Sequence, residues 1–267
     1  MGSMRKWEIQ LKTYNALAKE LLEKRKKGES GLRFNRPSIL ASDIAEQYFC
    51  EKKVEMHYLH GEVETEEKNI GTGAHEKLLE GAMKTNRREL WQKIYDKKPV
   101  FALEMLLLAK YRGLILAGRP DSVLFQKGYP LIVFEYKFSR SDIAYLAHHV
   151  QARTYGVLLR NMGFDTSRLF YAIVIADPEA KNDTELKRRV IDAIVKNGPK
   201  ESALKIEHAG IHFHKFSYED AEKDLDWAVE FWMNSREAKS TRNMNKCKNC
   251  EYRVECRRST HRQLSSF

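Results

Sequence analysis

No apolar run in these 267 residues approaches the roughly 18 that a bilayer-crossing helix needs, and no secretory h-region opens the chain. The expectation is therefore a cytoplasmic protein with no membrane partner. Cysteine is scarce, four in all, and no repeat or low-complexity segment stands out. A chain of this length buries a core without disulfide staples. At 42% hydrophobic and 31% charged, the composition excludes disorder for the bulk of the chain. Acidic residues are in deficit, 37 against 47 Lys and Arg, which leaves a net charge of +10. That balance calls for a polyanion.

The basic residues gather in two places. Lys24-Arg25-Lys26-Lys27 closes the first helical pattern, and eight of them fall between Lys239 and Arg262 against only Glu251 and Glu255. Solvated helix ends explain one such run. Two runs, in a chain that also carries a metal-like cysteine set, point to nucleic acid.

That set is Cys50, Cys247, Cys250 and Cys256. The last three read C-x2-C-x5-C, a spacing that lets thiolates face one ion from a tight turn. Without an export signal, disulfides are disfavoured. Zinc and an iron–sulfur cluster both accept four thiolates, and no His lies between Cys247 and Cys256. Either centre would tie residue 50 to the C-terminus.

The patterning predicts a helix over 5–27 ended by Gly28, and a second, capped by Ser42 or Asp43, running toward Cys50. A third begins near Gly73, with His75, Leu78, Leu79 and Ala82 on one face. β signals follow over Val100–Leu108, Tyr111–Ala117, Ser122–Gln126 and Leu131–Phe138, with Lys127-Gly128 as a turn. Ser139 or Ser141 caps a long helix through Arg160. Leu169–Ala176 reads as a buried strand, Asp177–Glu207 as polar and partly helical, Ile211–Phe216 as a strand and Tyr218–Asn234 as a helix. The order implies a mixed α/β fold. Met1-Gly2-Ser3 ahead of Met4 reads as an expression scar (1–3). A helical region carrying Cys50 (4–70), a core (71–236) and a basic cysteine tail (237–267) follow.

On Leu131–Phe138 the strand period puts Ile132, Phe134, Tyr136 and Phe138 on one face and Val133, Glu135 and Lys137 on the other. A carboxylate and an ammonium on an apolar strand need a reason. E-x-K also occurs at Glu51/Lys53, Glu66/Lys68, Glu179/Lys181, Glu185/Lys187 and Glu237/Lys239, all in polar or helical contexts. Only Glu135/Lys137 follows a Gly118-Arg-Pro-Asp121 turn, and a hairpin through Lys127-Gly128 brings Asp121 toward Glu135. Two carboxylates flanking a backbone carbonyl suit Mg²⁺ or Mn²⁺, and His75 would add a nitrogen ligand. Gln151 and Tyr155, four apart on the next helix, project together.

Gly71-Thr-Gly-Ala-His75, Gly118–Asp121, Glu135–Lys137 and Gln151–Tyr155, in that order inside a cysteine bracket, resemble the RecB-type PD-(D/E)XK nucleases. The chain is similar to their CRISPR-associated iron–sulfur exonuclease branch over roughly 38–258. The resemblance implies a restriction-endonuclease-like fold, with His75, Asp121, Glu135 and the Tyr136 carbonyl as metal ligands. It implies that Lys137 orients the attacking water and that Gln151 and Tyr155 position DNA. Cys50, Cys247, Cys250 and Cys256 would hold a 4Fe-4S cluster. The implied activity is Mn²⁺- or Mg²⁺-dependent degradation of single-stranded DNA ends from the 5′ side, in a prokaryotic cytoplasm, with CRISPR adaptation proteins as partners or in repair. The sequence departs from the family pattern at Glu51, where a Pro is usual. Two other readings stand beside it: a cluster- or zinc-stabilised DNA-binding assembly subunit that does not cut, and a structure-selective endonuclease on the same fold.

Overall fold

The computed structural model describes residues 5–28, 31–61 and 87–256. The third helix expected near Gly73, with its His75, lies outside the described residues, as do residues 1–4 and 257–267. Helix α1 (Lys6–Lys27) ends where Gly28 turns left-handed at φ 67° and returns its N–H to the Lys24 carbonyl. Helices α2 (Ala41–Phe49) and α3 (Glu51–His60) form one path broken at Cys50. Neither Ser42 nor Asp43 caps α2. Its N-cap is Leu40, and Asp43 already lies in the first turn, where a negative charge suits the positive end of the helix.

After α4 (Arg87–Ile94), the apolar stretch 100–108 proves to be two strands rather than one. β2 (Val100–Leu103) stops at Glu104, which takes a positive φ of 41°, and β3 (Leu107–Tyr111) restarts in a different sheet. Apolar composition alone does not mark such a break, because a non-glycine residue seldom adopts that conformation. β3 and β4 (Leu114–Gly118) close on Arg112-Gly113, and β5 (Ser122–Gln126) and β6 (Tyr129–Phe138) close on Lys127-Gly128. Both residues of each turn have positive φ, the two-residue hairpin geometry that favours glycine second.

The strands make two sheets. β1 (Ile39–Leu40) joins β4 and β3 in a small one. The larger has the order β2-β5-β6-β7-β9-β8, with β7 (Phe170–Ala176), β8 (Ser202–Ile206) and β9 (Ala209–Lys215). β6 and β7 run parallel, so the chain must cross over between them, and α5 (Leu146–Asn161) is that crossover. The sequence reading starts this helix at Ser139 or Ser141, several residues too early. Those serines serve turns instead: Ser139 Oγ accepts from the Ser141 N–H at 3.1 Å, and Ser141 Oγ from the Ile143 N–H at 3.4 Å. The polar stretch 177–207 holds α6 (Leu186–Asn197) and β8, an edge strand whose alternate residues face water and so read as polar.

The faces of β6 divide as the strand period predicts. Phe134 and Tyr136 join Ala172 and Val174 of β7 in one core, covered by Leu186, Val190 and Ile194 of α6. Val133, with Ile173 and Ile175, faces the main core beneath α5, where Val150, Val157 and Leu158 meet Leu225 and Trp232 of α7 (Tyr218–Trp232). Each such side chain contributes about 1.5–3 kcal/mol on burial, so a one-residue slip of β6 would be costly. That penalty fixes which way Glu135 and Lys137 point. Among the described residues no helix is long and apolar enough to cross a membrane.

Candidate active site

The β5–β6 register pairs Ser122 with Phe134, which sets Asp121 beside Glu135 at the open end of the hairpin. Gly128, at the other end, cannot be replaced freely: a Cβ there would meet the Tyr95 ring at 2.5 Å. Asp121 Oδ2 accepts a 2.6 Å hydrogen bond from the Tyr136 N–H. In an extended strand the N–H and C=O of one residue face the same edge, so the Tyr136 carbonyl is turned toward Asp121 as well.

On the α5 side of β6, the Lys137 ammonium lies 2.7 Å from Glu135 Oε1 and donates to Gln151 Oε1 at 3.1 Å. Gln151 Nε2 in turn donates to the Tyr155 hydroxyl at 2.8 Å, and that hydroxyl donates to the Arg119 carbonyl at 3.4 Å. One polar chain thus runs from β6 across α5 and back to the turn that carries Asp121. The Glu135 side chain is 5% exposed and that of Lys137 26%, so the pair opens to solvent on the lysine side. Burial pulls the Lys137 pKa down, but the carboxylates of Glu135, Asp121 and Glu46 outweigh it and raise it. Lys137 is therefore an ammonium at neutral pH, a donor and a positive charge rather than a base. Burial and the Glu135 charge push the Tyr155 hydroxyl well above its usual range, which keeps it protonated.

Two residues that the sequence reading passed over, Glu104 and Lys187, lie close by, and so does His148, which that reading places beside Gln151 and Tyr155 on the helix. Glu104 donates its N–H to the Asp121 carbonyl at 3.2 Å. Its signal was a lone acid interrupting an apolar run. Lys187 of α6 feels the Asp121 and Glu104 charges, although burial dominates and lowers its pKa. His148, one turn before Gln151 on α5, is held down to about 4 by burial, by the Lys137 ammonium and by His149 and His212. Arg153, on another side of the helix, pairs with Asp224 of α7 at 2.6 Å.

Asp121, Glu135 and the Tyr136 carbonyl are hard oxygen donors and fit Mg²⁺ or Mn²⁺. Such an ion would lower the pKa of bound water and offset charge on phosphate. Among the described residues no three His, Cys, Asp or Glu side chains gather closely enough to ligate one ion, and His75 lies outside those residues.

The second candidate centre is built from the chain ends. Cys50, at the α2–α3 break, and Cys247 of α8 (Met244–Lys248), Cys250 and Cys256 line one cavity of about 220 Å³, but as they stand no three of them are gathered closely enough to hold one metal ion. All four are free thiols, so the disulfide alternative does not hold. The Thr241 N–H donates to Cys50 Sγ at 3.4 Å. Burial raises the Cys250 and Cys256 thiols above their ordinary values, and neighbouring cysteines add to this. Those two thiols therefore keep their protons at neutral pH. Lys52, Lys53, Lys246, Lys248 and Arg253 also line the cavity, a positive surround that suits an anionic thiolate cluster.

Two carboxylates and a lysine presented from one hairpin of a mixed sheet suit metal-dependent phosphodiester chemistry. The profile of the PD-(D/E)XK nuclease superfamily matches residues 39–257, and the chain belongs to that superfamily. Membership implies metal-dependent nuclease activity with a nucleic-acid substrate. Among solved structures, the crystal structure of SSO0001 is similar at 16% sequence identity and a TM-score of 0.46, covering 91% of this chain and 95% of that one. No curated protein matches the chain.

Proposed function

We propose that this chain is an iron–sulfur exodeoxyribonuclease that degrades single-stranded DNA ends from the 5′ side, with Mn²⁺ or Mg²⁺ held by Asp121, Glu135, the Tyr136 carbonyl and His75. The observation that carries the reading is the convergence of Asp121, Glu135 and Lys137 on one edge of β6, linked by hydrogen bonds to Gln151 and Tyr155. Lys137, charged at neutral pH, orients the attacking water and stabilises negative charge on the phosphoryl group. Gln151 and Tyr155 hold Lys137 in place and position DNA.

The shared cavity of Cys50, Cys247, Cys250 and Cys256 supports a 4Fe-4S cluster that ties the two ends of the chain. The biological setting that goes with such an enzyme is CRISPR spacer acquisition, alongside adaptation proteins, or DNA repair in a prokaryotic cytoplasm.

The test is digestion of end-labelled linear single-stranded DNA with Mn²⁺, wild type beside Asp121→Ala. Shortening from the 5′ end by wild type alone supports the reading. Cutting of circular DNA makes the enzyme an endonuclease. DNA binding with no cutting in Mn²⁺ or Mg²⁺ makes the chain a binding subunit.

A further inference from the structure

The late start of α5 exposes something that a helix beginning at Ser141 would have hidden. Ile143, Tyr145 and Leu146 are 54%, 51% and 57% exposed, three large apolar side chains within four residues where the chain enters the helix that carries Gln151 and Tyr155. Scattered apolar residues on a surface need no explanation, but a cluster does. Hydrogen bonds anchor this one at both ends. The two serine turns brace the segment from behind, and His212 Nε2 of β9 donates to the Asp142 carbonyl at 3.1 Å. At the other end the His148 N–H bonds the Tyr145 carbonyl at 2.9 Å. The Tyr145 ring packs edge-on against the His148 ring, with centroids 5.6 Å apart and planes at 77°. One flank of the tyrosine is thus supported and the rest is open to solvent.

The patch is linked to the site through His148, whose ring packs on Tyr145 and feels the Lys137 ammonium. Tyr145 to Gln151 is six residues, a rise of about 9 Å along α5. At about 3.4 Å per stacked nucleotide, that spans two to three nucleotides from the phosphate next to Lys137. The burial and neighbouring charge that hold His148 down to about 4 leave its ring neutral, so Tyr145 and His148 present uncharged ring surface where Lys137 presents charge.

Resting on the nuclease reading above, we infer that Tyr145, flanked by Ile143 and Leu146, is a stacking platform for an unpaired nucleobase two to three nucleotides from the scissile phosphate. The platform takes any base, because every base has a π-face. It admits a strand only where the bases are free of a partner, and so it biases the enzyme toward single-stranded substrate.

The test measures binding and cutting separately. Affinity for a fluorescein-labelled single-stranded oligonucleotide is read by anisotropy in EDTA, which prevents cleavage, for wild type, Tyr145→Ala and Tyr145→Trp. Tyr145→Ala is expected to weaken binding roughly 5- to 150-fold, the range of one lost base–aromatic stack, while Tyr145→Trp retains it. A single abasic position, moved along the oligonucleotide, should reproduce the loss in wild type at one place. It should cost nothing further in Tyr145→Ala. The side chain is half exposed, so the variant is expected to fold, and its thermal unfolding midpoint checks this. Unchanged affinity in Tyr145→Ala, in a wild type that does bind and cut, overturns the platform and leaves the nuclease reading intact. A wild type that neither binds nor cuts the strand sinks both. A change in oligomeric state without a change in affinity makes the patch an interface between copies and overturns the platform.

Discussion

Arg236 grips Glu51 through two nitrogens, Nη1 at 2.6 Å from Oε2 and Nη2 at 2.6 Å from Oε1. Glu51 directly follows Cys50, and Arg236 stands at the start of the segment that leads to the other three cysteines. The carboxylate also accepts the Lys239 N–H and Gln47 Nε2, both at 2.7 Å. Glu51 thus clasps the residue after Cys50 to the segment that leads to the other cysteines, with protein groups alone.

The Glu51 side chain is 1% exposed, so removing its partner strands a buried charge. Arg236→Ala is expected to cost about 3–5 kcal/mol, read as a lower urea midpoint at pH 7. Burial pushes the Glu51 carboxyl up, but Arg236, the Lys239 N–H and Gln47 outweigh it and hold it below its usual value. A group with a depressed folded pKa contributes its stability above the unfolded value, about 4.3, and loses it as pH falls through the folded one. Wild type should therefore lose stability more steeply than Arg236→Ala as pH is lowered below about 4.3. Parallel curves for the two proteins would remove the clasp.

Lys137 gives the opposite sign. Its folded pKa is raised by Glu135, Asp121 and Glu46 against the pull of burial, so its charge is lost only as pH climbs beyond the ordinary lysine range. Cleavage of single-stranded DNA should show no falling limb from this group between about pH 7 and 9. Lys137→Met should lower kcat by about 10²-fold or more with little change in affinity for DNA. A rising limb with a midpoint near 8 that disappears in Lys137→Arg would show that the lysine acts neutral, as a base.

Much of this site was legible because strand physics is strict. With a period of two and a hairpin at Lys127-Gly128, placing Phe134 and Tyr136 in a core leaves Glu135 and Lys137 on the opposite face and Asp121 beside them. Gln151 and Tyr155 followed from helix spacing alone. What escaped were places where side chains compete with the repeat. Ser139 and Ser141 bond to nearby N–H groups and delay α5. Glu104 breaks an apolar run by a backbone conformation its type seldom adopts. Glu51 read only as part of an E-x-K pair in a polar or helical context, because its partner lies 185 residues away.

The cysteine cavity yields a test independent of cleavage. Anaerobically purified protein should be brown and carry about four irons per chain, and Cys250→Ser should lose both colour and iron. Removing the iron should also lower the unfolding midpoint, because a ligand bound only by the folded state adds its binding free energy to stability. Colourless protein with one zinc per chain would replace the cluster with a zinc site.

Gly118 offers the sharpest link between packing and chemistry. A Cβ at this position would lie 2.7 Å from Tyr155 Cε1 and 3.1 Å from the Ala41 Cβ, and both neighbours are buried in the core. The Tyr155 ring cannot swing outward, so it must slide, and its hydroxyl must slide with it. That hydroxyl accepts from Gln151 and donates to the Arg119 carbonyl, and Gln151 in turn holds Lys137. Gly118→Ala should therefore cost about 1–3 kcal/mol of stability through overpacking. It should also lower kcat by about 10- to 100-fold through a displaced Lys137. The two effects separate in a Tyr155→Phe background, which keeps the ring and removes the hydroxyl. If the activity loss travels through the hydroxyl, Gly118→Ala adds nothing to kcat in Tyr155→Phe while its stability cost persists. A full further loss of activity in the double variant would mean that the alanine disturbs the neighbouring Arg119-Pro120-Asp121 turn directly, and that the glycine serves the carboxylate rather than the tyrosine.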